Sequence, residues 1–502
     1  MKKFDTKVQE LKYQVLREVA RHAWQGDSYV SLIDIPKRIV SGKAPTMRCC
    51  VYKERAILAE RVKLAVGGNR DDPNVIEVID IACDGCPAGG CEVTNACRGC
   101  LAHRCGDVCP KGAITFDLNQ KAVIDKNKCV ECGLCAKACP YSAIVSLKRP
   151  CVNSCKVNAV LMDADRNARI DGAKCIACGA CVYQCPFGAM QDKSFVLDLI
   201  NLIRQSGGNT AYKLYAVVAP SVAGQFMDAR LGQVVSGLKK LGFFEVVEAA
   251  LGADIAAYAE AEEWARKGFL TTSCCPAFVT YVETQFPSLK GWISQTLSPM
   301  AAIAKYIKSV DKTAKVAFIG PCTAKKAEFR KPSVKGFIDV VITFEELQAL
   351  FDSRDIDLAA LGDGALDNAS YFGRIFARSG GVTDAVRQAV KEKGITPFAA
   401  FAPLVCDGVE QCRAALLRAQ RAVSQGNVPG CAAALKAQGV VLPENFIEGM
   451  ACVSGCIGGA GCLTHGEKNR RSVDEYGRQA LEKTIRDALG QLAGGDAGVS
   501  AK

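Results

Sequence analysis

The chain holds 502 residues, 49% of them hydrophobic, with a formal net charge of +11 and 28 cysteines. That length spans two to four domains, and no segment has the apolar length of a membrane span. So many cysteines mean disulfides or metal clusters. No basic run with interleaved aromatics supports nucleic-acid binding, so the charge fits an acidic electron carrier better.

The start, Met1-Lys2-Lys3-Phe4-Asp5-Thr6-Lys7, has no apolar run and no twin arginine. It predicts a cytoplasmic protein whose cysteines are reduced ligands. Residues 1–80 read as a helical N-terminal segment, with apolar residues at helical spacing from Val8 to Trp24 and from Lys53 to Val66. Cys49-Cys50, just before the second helix, reads as a pair of buried small hydrophobes.

Residues 81–195 are cysteine-rich and internally repeated. One unit holds Cys97, Cys100, Cys105 and Cys109, followed by Pro110. A second holds Cys129, Cys132, Cys135 and Cys139, then Pro140. An eroded third keeps Cys151 and Cys155, and a fourth holds Cys175, Cys178, Cys181 and Cys185, then Pro186. This resembles two tandem bacterial ferredoxin domains, in which three close cysteines wrap one corner of a 4Fe–4S cubane and the fourth reaches the partner cluster. Crossed pairing then joins Cys97, Cys100 and Cys105 with Cys139, and Cys129, Cys132 and Cys135 with Cys109. Cys175, Cys178 and Cys181 take Cys155. Cys151 and Cys185 remain, for Cys83, Cys86 and Cys91 to complete as a fourth cluster. The alternative joins Cys129, Cys132 and Cys135 with Cys185, and Cys175, Cys178 and Cys181 with Cys139. Two to four accessory 4Fe–4S clusters follow.

Residues 196–465 alternate short apolar runs with helical patterns, which argues α/β. Lys213 to Ala219, Ala314 to Ile319 and Ile338 to Thr343 read as strands. Thr383 to Glu392 and Arg413 to Val423 read as helices. Residues 466–502 read as an amphipathic helix, Val473 to Leu492, and a disordered Gly/Ala end.

Three stretches in the α/β region carry the chemistry. Thr272-Ser273-Cys274-Cys275-Pro276 and Pro321-Cys322-Thr323-Ala324-Lys325-Lys326-Ala327-Glu328 put cysteine beside proline. Glu448-Gly449-Met450-Ala451-Cys452-Val453-Ser454-Gly455-Cys456 ends on two cysteines four apart, able to offer two thiolates to one metal object from one helix face. Glycines after Cys456 let backbone approach that object. The three together resemble the signatures of the iron-iron (FeFe) hydrogenases, roughly TSCCPxW, MPCxxKxxE and ExMACxxGCxxG, and the resemblance covers about residues 95–465.

The resemblance implies a catalytic domain of two lobes, each a sheet flanked by helices, closing around an H-cluster. That cofactor is a 4Fe–4S cubane joined through one cysteine sulfur to a two-iron unit with CO, cyanide and a bridging dithiolate bearing an amine. It implies cubane ligands at Cys275, Cys322, Cys452 and Cys456, with Cys456 bridging. It implies cyanide donors at Lys325 and Ser221, and Met450 packed near the dithiolate. Cys274 becomes the proton-carrying thiol, reached through Glu263, Ser294 and Glu260 in that order; the two glutamates are three apart on one helix and share a face. The implied activity is reversible hydrogen oxidation and proton reduction, with a ferredoxin-type carrier and maturation proteins supplying the two-iron unit as partners, and neither nucleic acid nor membrane. A hydrogen sensor and a non-catalytic iron–sulfur relative are the alternatives. Retention of Cys274, Lys325 and Met450 argues against the non-catalytic one, and no visible signalling module argues against the sensor. Gly320, Ala277-Phe278 and Ser454 depart from the signatures. Cys406, Cys412, Cys431 and Cys462 read as core thiols.

Overall fold

The computed structural model describes residues 3–26, 29–87, 89–395, 400–425 and 443–492. The first helix, Lys7–Gln25, starts at a reciprocal cap: Gln9 N–H donates to Thr6 Oγ1, and the Thr6 N–H donates to Gln9 Oε1, both at 3.2 Å. It stops at Gly26, whose φ of 77° ends the helix in the left-handed region. Its buried face, Val15, Leu16, Val19 and Ala20, shares one core with Leu347, Leu350 and Phe351 of the helix Phe344–Ser353. The N-terminal helices thus pack on the α/β region. A second helix runs Val51–Ala65, and the segment closes with a strand, β1 (Ile76–Val78).

The cysteine-rich region is built from short strands: β2 (Gly90–Val93), β3 (Ile114–Phe116), β4 (Ala122–Ile124), β5 (Ile144–Leu147), β6 (Val160–Met162), β7 (Ala168–Ile170) and β8 (Met190–Asp192). They pair antiparallel as β2–β5, β3–β4, β6–β7 and β1–β8. The last pair ties the end of the N-terminal segment to the end of the cysteine-rich one.

The α/β region has two parallel sheets. One holds β9 (Leu214–Val218), β10 (Glu245–Glu248), β12 (Lys315–Gly320) and β13 (Val340–Thr343) in the order β10-β9-β12-β13. The other holds β11 (Leu270–Thr271), β14 (Pro403–Asp407) and β15 (Phe446–Met450) in the order β11-β15-β14. The strands predicted near 213–219, 314–319 and 338–343 are β9, β12 and β13. The predicted helices appear as Gly381–Glu392 and Val409–Ser424. In the first sheet the chain winds outward in both directions from the β9/β12 boundary, and ligands bind at the carboxyl ends of strands at such a point.

A buried charge network joins the three regions. Lys12 pairs with Asp192 and Glu345, each at 2.6 Å, while Lys326 pairs with Asp192 at 2.8 Å and Glu346 at 2.9 Å. Asp192 ends β8, so one carboxylate takes a lysine from the first helix and another from the α/β region. Paired lysines hold its carboxyl below the usual carboxylate range against the opposing effect of burial.

Two expectations are corrected. The predicted helix Val473 to Leu492 is two helices, Glu467–Arg478 and Ile485–Gly490; Gly477 lies near the end of the first, and a Cβ there would stand 2.8 Å from Ile375. Cys49-Cys50 is not a buried pair: Cys49 is exposed, and Cys50 caps the Val51–Ala65 helix by accepting the Lys53 N–H at 3.4 Å. Cys431 and the Gly/Ala end lie outside the described residues. Among the described residues no helix is long and apolar enough to cross a membrane.

Candidate active site and cysteine clusters

The repeats fold alike in backbone detail. Cys105, Cys135, Cys151 and Cys181 are each the second residue of a short helix: Arg104–Asp107, Leu134–Ala138, Pro150–Ser154 and Ala180–Gln184. After each of Cys109, Cys139, Cys155 and Cys185, the third residue on (Gly112, Ser142, Asn158, Gly188) is left-handed. The fourth residue on, an alanine every time, donates its N–H to the cysteine sulfur at 3.2–3.4 Å. Donors aimed at sulfur favour the thiolate, the form that binds metal. The eroded third unit keeps this geometry and lacks only its first two cysteines.

The cysteines gather in four groups. Cys97, Cys100, Cys105 and Cys139 line one small cavity. Cys109, Cys129, Cys132 and Cys135 line a second. Cys155, Cys175, Cys178 and Cys181 are electrostatic neighbours, and so are Cys83, Cys86, Cys151 and Cys185. These are the members of the first crossed pairing. The alternative falls away, because Cys139 lies with the Cys97 group and Cys185 with the Cys83 group.

Cys91 needs correction. It does not join Cys83 and Cys86. It sits on β2, fully buried beside Cys135, and burial together with Cys91 pushes the Cys135 thiol up to about 11. Cys83 and Cys86 replace the two cysteines missing from the third unit. Arg149 ties them down: its Nε donates to the Pro87 carbonyl at 2.9 Å, Nη2 to the Cys86 carbonyl at 3.2 Å and Nη1 to Cys83 Sγ at 3.4 Å. Among the described residues no three His, Cys, Asp or Glu side chains close on a point fit for a single ion. The first two groups instead ring cavities, which suits a body larger than an ion.

The catalytic candidates come from the carboxyl ends of both parallel sheets. Ser221 follows β9 and Cys322 follows β12, on either side of the switch point. Cys274 and Cys275 follow β11, while Cys452 and Cys456 follow β15. Cys275 and Cys322 each stand just before a helix, Pro276–Gln285 and Thr323–Glu328. The four thiols of Cys275, Cys322, Cys452 and Cys456 feel one another's charge. Burial, then the neighbouring thiols, pushes Cys322 up to about 11 and Cys456 up to about 12, while Lys325 pulls both down. Gly455 is required here: its φ is 76°, and a Cβ would stand 2.7 Å from the Ser379 nitrogen. Cys178 of the third accessory group is a neighbour of both Cys275 and Cys452.

Cys274 faces away from this quartet, toward Glu260 and Met450. Burial, then Glu260 and the nearby thiols, holds its thiol well above the ordinary range. Glu260 is buried on the helix Ala249–Lys267, and burial plus Glu263 lifts its carboxyl to about 7. Glu260 Oε1 accepts from the Ser273 N–H at 3.2 Å and hydroxyl at 3.3 Å, while its buried Oε2 has no hydrogen-bond partner among the described residues. Ser294 reaches both glutamates: it acts on Glu260 and donates to Glu263 Oε2 at 2.9 Å. Glu263 pairs with Lys267 at 2.7 Å, and Lys267 is partly exposed. The predicted order Glu263, Ser294, Glu260, Cys274 is therefore a contiguous file from the surface inward.

Lys325 is buried, paired with Glu328 at 2.6 Å and within 3.4 Å of the Cys274 carbonyl. Ser221 is fully buried, and its hydroxyl has no partner among the described residues. Ser273, Lys267, Glu328 and Arg149 went unread in the sequence. Glu328 stood in the signature, whereas Lys267 looked like any surface lysine. Glu448, which opens the third signature, accepts the Gly380 and Thr383 N–H groups at 2.7 Å each and so holds the start of the Gly381–Glu392 helix.

The departures have local partners. The Phe318 ring and Ala219 crowd Gly320, leaving no room for a side chain, and the Phe278 ring lies on Gly449. Ser454 is left-handed at φ 69°, its N–H held by Asp407 at 2.6 Å. Cys406, Cys412 and Cys462 are buried thiols; Cys412 lies 3.5 Å from the Met450 carbonyl, and Cys462 lies 3.5 Å from that of Ile457.

Comparison with known proteins meets this geometry. Residues 212–460 match the family model described as iron only hydrogenase large subunit, C-terminal domain, and residues 96–143 and 121–186 each match a 4Fe-4S dicluster domain. Iron hydrogenase 1 of Clostridium pasteurianum is 29% identical over 276 residues, 48% of this chain and 47% of its own length. The periplasmic Fe hydrogenase large subunit of Nitratidesulfovibrio vulgaris is 29% identical over 289 residues, 50% of this chain and 68% of its own. The NADP-reducing hydrogenase subunit HndD of Solidesulfovibrio fructosivorans is 30% identical over 267 residues, 47% of this chain and 46% of its own. The chain thus spans about half the length of two of these three relatives.

Proposed function

Because residues 212–460 belong to the iron-only hydrogenase large-subunit family and residues 96–186 carry 4Fe–4S dicluster domains, we propose that this chain catalyses reversible hydrogen oxidation and proton reduction. The observation that carries the reading is the file Glu263, Ser294, Glu260, Cys274, which ends beside the quartet Cys275, Cys322, Cys452 and Cys456.

The residues fit an H-cluster. A buried, unpartnered Ser221 hydroxyl and the Lys325 ammonium are donors in want of acceptors, and cyanide ligands are anionic acceptors. Such a group, when bound, supplies the redox chemistry on hydrogen. Cys275, Cys322, Cys452 and Cys456 hold its cubane, with Cys456 as the bridging sulfur. Lys325 and Ser221 bind and orient the cyanides, and Met450 packs against the dithiolate and keeps water away. The Cys274 Sγ–H passes its proton to Glu260 Oε2 in one direction and recovers it in the other. Ser294 bridges Glu260 to Glu263, and Lys267 meets solvent.

Electrons follow the thiols. Cys178 neighbours Cys275 and Cys452, so the group Cys155, Cys175, Cys178 and Cys181 stands next to the catalytic quartet. The group Cys83, Cys86, Cys151 and Cys185 adjoins it through Cys151 and Cys181. Four accessory clusters in these groups form the relay to a ferredoxin-type carrier drawn by the net charge of +11. Maturation proteins deliver the two-iron unit, and the cytoplasm keeps the thiols reduced.

The test is hydrogen turnover with a reduced carrier, on protein matured with the two-iron unit. Turnover together with CO and cyanide infrared bands is the expected result. Bands without turnover point to the sensor reading; neither bands nor turnover in matured protein points to the non-catalytic one.

A further inference from the structure

The residue two before the third cysteine of each unit has a special place. In the second and fourth units it is glycine, Gly133 and Gly179, left-handed at φ 73° and 76°, immediately before the short helix. Glycine suits that backbone at no steric cost. The other two units carry a large nitrogen-bearing side chain there. In the third unit it is Arg149, whose Nη1 donates to Cys83 Sγ at 3.4 Å. In the first it is His103, left-handed at φ 42°. A non-glycine residue in that region costs about 1–2 kcal/mol, so its side chain has to give something in return.

Two observations locate what it gives. The His103 ring stacks on Phe116, with centroids 3.6 Å apart and planes 14° apart, which fixes its direction. Its Nε2 is closed off from solvent and has no hydrogen-bond partner among the described residues, and His103 lines the same cavity as Cys97, Cys100, Cys105 and Cys139. A buried imidazole nitrogen without a partner is uncommon and costly. The four cysteines already complete a cubane's ligand set, so the imidazole is left as a donor.

We propose that His103 Nε2–H donates a hydrogen bond to a sulfur of the cluster held by Cys97, Cys100, Cys105 and Cys139. Hydrogen bonds to cluster sulfurs raise the reduction potential. His103 is thus a tuning residue, absent in kind from the Cys109, Cys129, Cys132 and Cys135 group, where Gly133 holds its place. It makes the Cys97 group the more readily reduced of the two and the collecting end of the pair. This rests on the proposal that these groups hold 4Fe–4S clusters.

The experiment uses the full chain, anaerobically reconstituted with iron and sulfide and left without the two-iron unit, so hydrogen turnover plays no part. Redox titration followed by electron paramagnetic resonance compares the wild type, His103→Gly and His103→Gln. His103→Gly supplies the residue that the other units use, so the backbone is relieved rather than strained. The expected result is unchanged iron content, one cluster shifted to lower potential in His103→Gly, and partial return in His103→Gln, which keeps an N–H donor. A weak nitrogen coupling to that cluster in the wild type should vanish in His103→Gly. Identical potentials in wild type and His103→Gly overturn the proposal. So does loss of one cluster's iron from His103→Gly, or a strong coupling from directly bonded nitrogen, since either makes the imidazole a ligand. If Cys97→Ser and Cys105→Ser leave the wild-type iron content unchanged, no cluster is held there; the cluster reading then fails, and this proposal fails with it.

Discussion

Thr323 donates its hydroxyl proton to the Ala177 carbonyl at 2.7 Å, a buried bond between the residue after Cys322 and the residue between Cys175 and Cys178. It fastens the last accessory cysteine group to the catalytic quartet. The fit is close on both sides, because a Cβ on neighbouring Gly179 would stand 2.6 Å from the Thr323 hydroxyl.

Thr323→Val keeps the volume and removes the donor, leaving the Ala177 carbonyl buried and unpaired. Stability should fall by about 1–3 kcal/mol, read as a lower denaturant midpoint at constant slope. Carrier-driven hydrogen turnover should fall as well, since the bond sets the distance that electrons cross. An unaltered midpoint would show that the carbonyl finds another partner.

Iron content separates Cys83 from Cys91. Four accessory groups and the catalytic quartet predict about twenty irons per chain on anaerobic reconstitution without the two-iron unit, at four per cubane. Cys83→Ser should lose about four of them. Cys91→Ser should lose none, because Cys91 is a fifth thiol beside a group already complete with Cys109. Equal losses from both variants would restore Cys91 to the Cys83 group.

Lys325 and Lys326 are neighbours with different duties. Lys326 is fully buried between Asp192 and Glu346 and also donates to the Lys193 carbonyl at 2.9 Å. Lys326→Met strands two buried carboxylates and should cost about 3–5 kcal/mol. Lys325→Met strands only Glu328 and removes a donor from the pocket. It should shift or abolish the cyanide bands while the cubane iron remains. Thermal unfolding and infrared spectra on both variants check the division.

Much of this was legible because it is local. The ligand signatures lie in strand-to-helix turns, where neighbouring residues decide the geometry, so Cys275, Cys322, Cys452 and Cys456 could be read in place. Glu260 and Glu263 share a helix face by spacing alone. Cys91 misled because its loop partners, Cys83 and Cys86, lie close in sequence, while its actual place depends on the pairing of β2 with β5 some fifty residues on. Cys50 looked apolar and is a cap. The ties made by Arg149, Thr323 and Asp192 span distant segments, and no spacing in the chain announces them.

Cys274 should prove a proton carrier and not a ligand. Its sulfur lies among Glu260, Glu448 and the quartet thiols, and the other four cysteines complete the cubane without it. Cys274→Ala should lower hydrogen turnover by about two orders of magnitude, the usual size of a lost acid–base step, with iron content and CO and cyanide bands intact. Cys274→Asp should recover part of the rate. Cys275→Ala should lose the cubane itself.

Glu260 gives the relay its pH dependence. Its carboxyl stands at about 7 against an ordinary 4.5, through burial first and then Glu263, with the Ser273 and Ser294 groups opposing. Below pH 7 it is protonated and ready to deliver; above pH 7 the protonated fraction falls about tenfold per unit. Proton reduction should therefore decline with an inflection near pH 7, while hydrogen oxidation, which needs the carboxylate as acceptor, should rise to a plateau there. Stability follows the same proton. The folded value lies above the unfolded one, so the folded state holds an extra proton between them. The stabilisation is complete below pH 4.5 and is lost as pH rises through about 7. Asp254, buried and raised to about 8, slopes the same way, so the wild type alone cannot assign the effect. Glu260→Gln cannot titrate. It should cut turnover by about two orders of magnitude, erase the inflection near pH 7, and unfold with a shallower pH dependence than the wild type between pH 5 and 8, leaving the slope that belongs to Asp254. An inflection that persists in Glu260→Gln would move the pH-sensing step to another member of the file.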